Sequence, residues 1–443
     1  MPILSKEEAQ VLLKKVLGYS KAEECEVSLY GSEGGNIRYA LNAVSTAGDI
    51  STTGLSVTSA YGKKSASANI DEFDDAALER VVRRSEELAQ LAPENPEREE
   101  IPGPATFKES ITYNAKTAAM TPDTRAELVS KSLDVTKKAG LSAAGFIENS
   151  TSFNAVMNSK GFFAYNKSSD VIFSVTTRNE AGTASGYAAR GFTDVSKLDT
   201  ESATRIATMK ANKSLGAKAL EPGKYTVILE PVAATYMMEN MFRFDARSAE
   251  EGRSFLSKKG GGTRLGEQLM DEKVTIYSDP FNPDLPSSTW GRDGLPREKV
   301  VWIDKGKVNT LSYSKFWAKK KGVAPQPGPG NIIMMGGDST LEEMIKSTEK
   351  GILVSRLWYI RMVDPKVLLL TGLTRDGTFY IENGEIKYPV KNFRFNESPI
   401  IMLNNLEALG KAERSISVES YQSYMIPPMK IRDFTFSSLS DAV

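Results

Sequence analysis

The sequence predicts an α+β protein. Its N-terminal region is expected to be antiparallel sheet with flanking helices, loosely duplicated, and its C-terminal domain to be dominated by antiparallel β-sheet. Three observations carry that expectation. Alternating apolar and polar runs such as "CEVSLY", "NIRYAL" and "TGLSVTSAYGKKSASANI" have the period of strands with one wet face. Amphipathic segments with capping residues flank these runs. The order helix, sheet, helix occurs twice, after which the chain turns to hairpins, with none of the regular βαβ alternation of a parallel sheet.

The first helix is signalled by a capping box of Ser5 and Glu8, by Ala9, Leu12, Leu13 and Val16 on one face, and by Gly18 beyond its end. After the three alternating runs, "DEFDDAALERVVRRSEELAQLA" is a second amphipathic helix. It places Leu78, Val81, Val82, Leu88 and Ala92 on one side and stops at Pro93. "PENPEREEIPGPATF" is a Pro- and charge-rich connection. Thr121 then caps, and Pro122 starts, a helix to about Ala139. Strands are expected at "FNAVMNS", "GFFAYN", "DVIFSVTTRNEAG" and "ASGYAARGF", followed by a helix from near Asp199 to about Leu215.

Pro222-Gly223 breaks the chain, which suggests an N-terminal domain over 1–222, with a middle segment from about 105, and a C-terminal domain over 223–443. In the latter, "YTVILE" is a short strand suited to burial. "VVWIDKGKVNTLSYS" and "GTFYIENGEIKYPV" are hairpins, the second around Asn383-Gly384. "VAPQPGPGN" between them can be neither helix nor central strand. Ser339 with Glu342 opens a helix to Lys350, ended by Gly351, and "ILVSRLWYIRMV" and "KVLLLTGLTR" read as strands.

Composition removes several function classes. Lys+Arg and Asp+Glu balance at 56 each over 443 residues, so no global field favours nucleic acid or an anionic membrane. The opening "MPILSKEEAQ" carries charge where a signal peptide needs its apolar stretch, and no run approaches the length of a spanning helix. The single cysteine, Cys25, excludes an internal disulfide framework and fits a reducing cytoplasm. There is no histidine. Ser-His-Asp and Cys-His catalysis, HExxH zinc sites and zinc fingers are therefore excluded, while a hard metal held by carboxylates is not.

The stretch from Thr235 to Leu269 is the densest in candidate chemistry. Its glycines at 260–262 lack the spacing of a phosphate loop and follow a charged segment instead of a strand, so they read as a flexible turn. Asp245, Glu250, Glu251 and Glu267 supply carboxylates, but Arg243, Arg247, Arg253 and Arg264 are interleaved with them. Ion pairing is the simpler reading; metal binding near Asp245 and Glu250 is the competing one. Lys319-Lys320-Lys321 beside Phe316 and Trp317 reads as a solvated face, and Cys25, with no histidine to activate it, as a packing residue.

Taken in order, "GLSVTSAYGKKSASANIDEFDDAALERVV", "AVMNSKGFFAYN", "EPGKYTVILEPVAA", "EGRSFLSKKGGGTRLGEQLMDEKVTIYSDP", "VVWIDKGKVNTLSYSKFWAKKKG", "STLEEMIKSTEKGILV" and "FYIENGEIKYPVKNFRFNESPI" resemble the TldD/PmbA (TldE) family, also called modulator of DNA gyrase or peptidase U62. The resemblance covers nearly the whole chain. It implies a dimeric zinc metalloprotease in which a TldD-type subunit carries a HExxxH helix that, with a cysteine elsewhere, binds zinc. The TldE-type partner lacks these ligands. Counting back from Gly252, the HExxxH window falls near Met237-Met238-Glu239-Asn240-Met241-Phe242, so Met237 and Phe242 stand where imidazoles would be and Glu239 is left alone.

The resemblance thus implies no catalytic and no metal-binding residue here, with zinc expected only in a TldD-type partner. The chain would complete a dimeric chamber with that subunit, or with itself, and bind peptide or unfolded polypeptide. Arg243, Asp245, Arg247, Glu250, Arg253 and Glu267 are the candidates for gripping partner or peptide. The alternative is a stand-alone homodimeric peptide-binding or scaffold protein without peptidase activity. Neither charge nor motif supports a role on nucleic acid or gyrase.

Overall fold

The computed structural model describes residues 3–291 and 293–440. α1 (Lys6–Tyr19) starts on the Ser5–Glu8 capping box and buries Ala9, Leu13 and Val16. A meander of β1 (Glu24–Ala40), β2 (Ala43–Tyr61) and β3 (Lys64–Ile70) follows, and α2 (Asp75–Leu91), capped by Asp74, folds back on it. A long connection and the single turn α3 (Ala115–Ala118) lead into the second copy. This comprises α4 (Pro122–Lys138) capped by Thr121, then β4 (Ser142–Asn158), β5 (Phe163–Arg178), β6 (Ser185–Phe192), and α5 (Thr200–Lys213) capped by Asp199.

The two meanders are halves of one six-stranded sheet, ordered β3-β2-β1-β4-β5-β6. β1 and β4 join them, antiparallel from Glu26 opposite Asn158 to Tyr39 opposite Gly145. α1 and α2 cover one end of the sheet around Leu29, Leu55 and Phe153; α4 and α5 cover the other around Ile37, Ile147 and Phe173.

Several strands run longer than expected. "CEVSLY" and "NIRYAL" are one strand, because β1 continues through Gly31, Gly34 and Gly35 with a partner on each side. The Phe153 ring occupies the space a Gly31 side chain would need. "GFFAYN" and "DVIFSVTTR" are likewise one strand, β5, whose polar middle is held by cross-strand pairing that includes Ser152 and Ser168 hydroxyls 2.9 Å apart. On α2 the buried seam is Leu78, Val82, Ser85 and Ala89. Leu88 is only half-buried, and Ala92 is the C-cap.

In the C-terminal half, β7 (Gly223–Leu229) is a central strand, parallel to β12 (Lys350–Asp364) and antiparallel to β19 (Met429–Leu439). Its sheet continues to β15 (Phe393–Glu397), β13 (Leu369–Glu382) and β14 (Glu385–Pro389), with β16 (Leu406–Leu409) on β19. β12 also pairs with β13, so the path closes on itself and leaves few free edges. A second sheet is ordered β10 (Lys307–Val308), β9 (Val300–Asp304), β8 (Ile276–Ser278), β11 (Ile333–Met334), β18 (Gln422–Ile426), β17 (Glu413–Ser417). The shared core includes Trp302, Phe393, Phe395 and Phe434.

The short helices of this half are α6 (Pro231–Met238), α7 (Ala246–Glu250), α8 (Lys315–Lys321), α9 (Leu341–Lys346) and α10 (Pro399–Asn404). The β13–β14 hairpin turns on Asn383-Gly384, both with positive φ as a type I′ turn requires. The capping box of α9 is shifted by one residue, to Thr340 with Glu343, a register that buries Met344. The helix ends at Lys346, and Lys350 and Gly351 already belong to β12.

The protein is therefore α+β, with antiparallel sheet in both halves. No helix among the described residues is long and apolar enough to cross a membrane. Phe153 is fully buried under α1 and α2, so Phe153→Ala should cost about 3–5 kcal/mol of unfolding free energy, read from denaturant midpoints.

Candidate functional site

β7 delivers the chain into α6 through Glu230 and Pro231. Proline suits a first helical position because its missing N–H has no partner there anyway. The Glu230 carboxylate makes no cap. It pairs with Lys210 of α5 and accepts from Ser355 Oγ of β12 at 3.2 Å. From Ala233 to Met238 every residue of α6 is buried, against β12 and the second sheet. The Tyr236 hydroxyl accepts the Val418 N–H at 3.3 Å.

The helix expected across the HExxxH window does not run its full length. α6 stops at Met238, a single 3₁₀ turn covers Glu239–Met241, and Phe242 leaves it to pack on Tyr424, ring centroids 5.3 Å apart. The Tyr424 contact and the Asp245 cap of α7 both pull the chain off the helix axis. Met237 and Met241 are sealed in the core.

Beside this turn lies a cavity of about 400 Å³, with Glu239, Asn240 and Arg243 on one wall and Asn331, Ser420 and Tyr424 on the other. Ser420 Oγ donates to Glu239 at 3.0 Å. Burial nevertheless pushes the Glu239 carboxyl above its ordinary range, and burial next to that carboxylate pushes the Tyr424 phenol up to about 12. The cavity thus offers a poorly solvated carboxyl, an amide, hydroxyls and a guanidinium at its rim.

The structure brings Glu239, Phe242 and Arg243 to this cavity, seals Met237 in the core, and ties up the other candidates within the chain. Asp245 accepts from Ser248 N at 2.7 Å and so caps α7. Arg247 forks onto Glu97 at 2.6 and 2.9 Å, reaches Glu251 at 2.9 Å, and lies over the Trp317 ring. Glu250 pairs with Lys321, Arg253 with Glu251, and Glu267 with Lys258 at 3.0 Å. The glycines at 260–262 form a turn of positive φ closed by Lys258 N donating to Gly262 O.

Lys319 pairs with Glu99, and Lys320 lies over Trp317. Cys25 is buried, and burial raises its thiol pKa. Among the described residues no three His, Cys, Asp or Glu side chains gather as a metal set.

Sequence reasoning missed Asn331, Ser420 and Tyr424, because they arrive from segments far along the chain with no local signal. It also missed a buried polar junction beneath α6. There the Arg356 guanidinium stacks 3.8 Å over the Tyr187 ring and holds Asp376 at 2.7 Å.

Because the folded chain holds the Glu239 proton more tightly than the unfolded chain, ionising this carboxyl opposes folding. That penalty is absent below the usual carboxylate range and grows as pH rises through it to the raised folded value. Glu239→Gln should therefore unfold at a higher temperature than the parent at pH 7.5. The advantage should vanish near pH 4, as followed by circular dichroism.

Residues 25–89, 108–215 and 222–438 match, in turn, domain 1, the central domain and the C-terminal domain of the PmbA/TldA metallopeptidases. A metalloprotease of Methanothermobacter thermautotrophicus is 24% identical over 239 residues, which is 50% of each chain. The metalloprotease PmbA of Escherichia coli O157:H7 is 27% identical over 173 residues, 38% of this chain and 37% of that one. The chain thus spans about half the length, or less, of these curated relatives. Among solved structures, TldE from Thermococcus kodakarensis superposes with a TM-score of 0.85 at 19% identity, covering 97% of this chain and 99% of that one. A Thermotoga maritima protein described as a modulator of DNA gyrase gives 0.86 at 16% identity, covering 97% and 100%. These likenesses establish the shared fold, and with all three domains matched in order the chain belongs to the PmbA/TldD family of metallopeptidase-like proteins.

Proposed function

We propose that this chain is a metal-free, TldE-like subunit that completes a peptide-holding chamber with a zinc-bearing TldD-type subunit and serves proteolysis or peptide maturation in the cytoplasm. The observation that carries this reading is the chemistry of the HExxxH position. Met237 and Met241 are apolar and sealed in the core, and Phe242 offers no donor. A catalytic zinc needs three protein ligands and an open position. Glu239 is one carboxylate, the chain has no histidine, and Cys25 sits in β1 beneath α1 and α2. The residues present do not fit zinc.

Its own residues fit a binding role. α6 is apolar and buried, and the cavity at its end offers Asn240, Arg243, Ser420 and Tyr424 as partners for an extended main chain. The single cysteine suits a reducing compartment.

The test mixes the purified chain with a HExxxH-bearing homologue and follows gel filtration, zinc content and cleavage of an unstructured polypeptide. Expected are zinc well below one per chain for this subunit alone, a mixed complex, and cleavage only in the mixture. Cleavage by the chelator-treated chain alone, at the rate of the mixture, would overturn the proposal.

A further inference from the structure

The helix-covered face of the N-terminal sheet is interrupted. Cross-strand partners share a face, so the registers identify the residues lying between the two apolar cores. Glu33 sits between Ser51 and Thr151, and Thr151 is opposite Ser169. One step toward α4, Gly35 sits between Asp49 and Asn149; one step toward α1, Phe153 is opposite Lys167. This band is polar, whereas the flanking rows are Leu29 with Ala155 and Ile37 with Ile147. The helix pairs cover its two ends, and the segment through α3 packs over Asn149 and Ser169. A groove of about 600 Å³ remains, bounded by Ile3 before α1, by Tyr113, and by Met120 and Pro122 at the start of α4.

Its floor is built with care for charge. Arg125, 3% exposed, donates to Asn149 Oδ1 at 2.8 Å and pairs with Asp49, while its Nε has no partner. A side chain at Gly35 would collide with that guanidinium, so the glycine makes room for it. The buried Thr151 hydroxyl also lacks a partner.

Two further groups line the groove with no ion pair among the described residues. They are the Glu33 carboxylate and the Lys167 ammonium, which rests 4.1 Å over the Tyr113 ring. Two strand spacings and a two-residue offset put their Cα atoms about 12 Å apart.

We propose that this groove binds a short peptide with free ends, its ammonium on Glu33 and its carboxylate on Lys167. Unpaired groups of opposite sign select a zwitterion. A phosphate dianion would face Glu33 and Asp49 as well as the cations. The site is remote from the α6 cavity in the chain.

The experiment uses the full chain and measures the thermal midpoint and calorimetric binding with alanyl-alanine, its N-acetyl form, its C-amide form and inorganic phosphate. The free dipeptide is expected to bind and raise Tm, with affinity falling at least tenfold when either end is blocked. Glu33→Gln should lose tenfold toward the free dipeptide but nothing further toward the N-acetyl form; Lys167→Met should behave likewise with the C-amide. Circular dichroism of each unliganded variant checks its fold, and the blocked ligands test the parent chain without any variant. The proposal is overturned if the free dipeptide does not bind at millimolar concentration, if blocked forms bind equally, or if phosphate binds as well as the dipeptide.

Discussion

The antiparallel pairing of β1 with β4 is the constraint on which the N-terminal half depends. Each strand is long enough to serve both helix pairs, and each is central in the sheet, so the two meanders cannot act as separate units. A slip of one residue would turn Leu29, Ile37, Ile147 and Phe153 away from their helices together, which fixes the register. The glycines of β1 are the cost of this continuity. They lower strand propensity, yet Gly31 admits the Phe153 ring and Gly35 admits the Arg125 guanidinium. Two helix pairs on one long sheet also leave a seam between them, lined by polar residues that bond to Arg125 of α4 and to the segment through α3.

The second constraint is the junction under α6. Lys210 of α5 meets Glu230 at the head of α6; Arg356 of β12 is held between Tyr187 of β6 and Asp376 of β13; Arg414 of β17 reaches Asp170 of β5 at 3.3 Å. Burying charges is tolerable only when each has a partner, and such pairs confer geometry more than net stability. They place the start of α6 relative to the N-terminal sheet, which ties α6, and the cavity beyond its end, to both halves of the molecule.

The parts of this fold legible in the sequence are those whose physics is local. Ser5 with Glu8, Thr121 with Pro122, Asp199, and Asn383-Gly384 each satisfy or bend the backbone within a few residues, and each sits where its chemistry says. Strand continuity through Gly34 and Gly35 was not legible, because it is imposed by neighbours on either side. The position of the α9 cap was ambiguous, since Ser339 with Glu342 and Thr340 with Glu343 repeat the same pattern, and burial of Met344 decides between them. At the candidate site, Glu239, Phe242 and Arg243 could be singled out from one segment. Their companions Ser420 and Tyr424 come from the far end of the chain, and pairing across such a distance leaves no periodic trace.

The same reasoning explains why the charged run after Phe242 is a weak guide to binding. Arg247, Glu250, Arg253 and Glu267 look available in sequence because charge is what composition shows. In the fold each has a partner within the chain, and a paired charge must give up that partner before it can hold a ligand. Glu239 is the reverse case. It stands among apolar residues in the sequence and would pass for a helix surface position. In the fold it is half-buried, held by one serine hydroxyl, with its ionised form disfavoured by burial. Incomplete satisfaction marks a group open to interaction, and by that criterion Glu239 beside α6 and Glu33 with Lys167 in the groove stand out where the denser charge clusters do not.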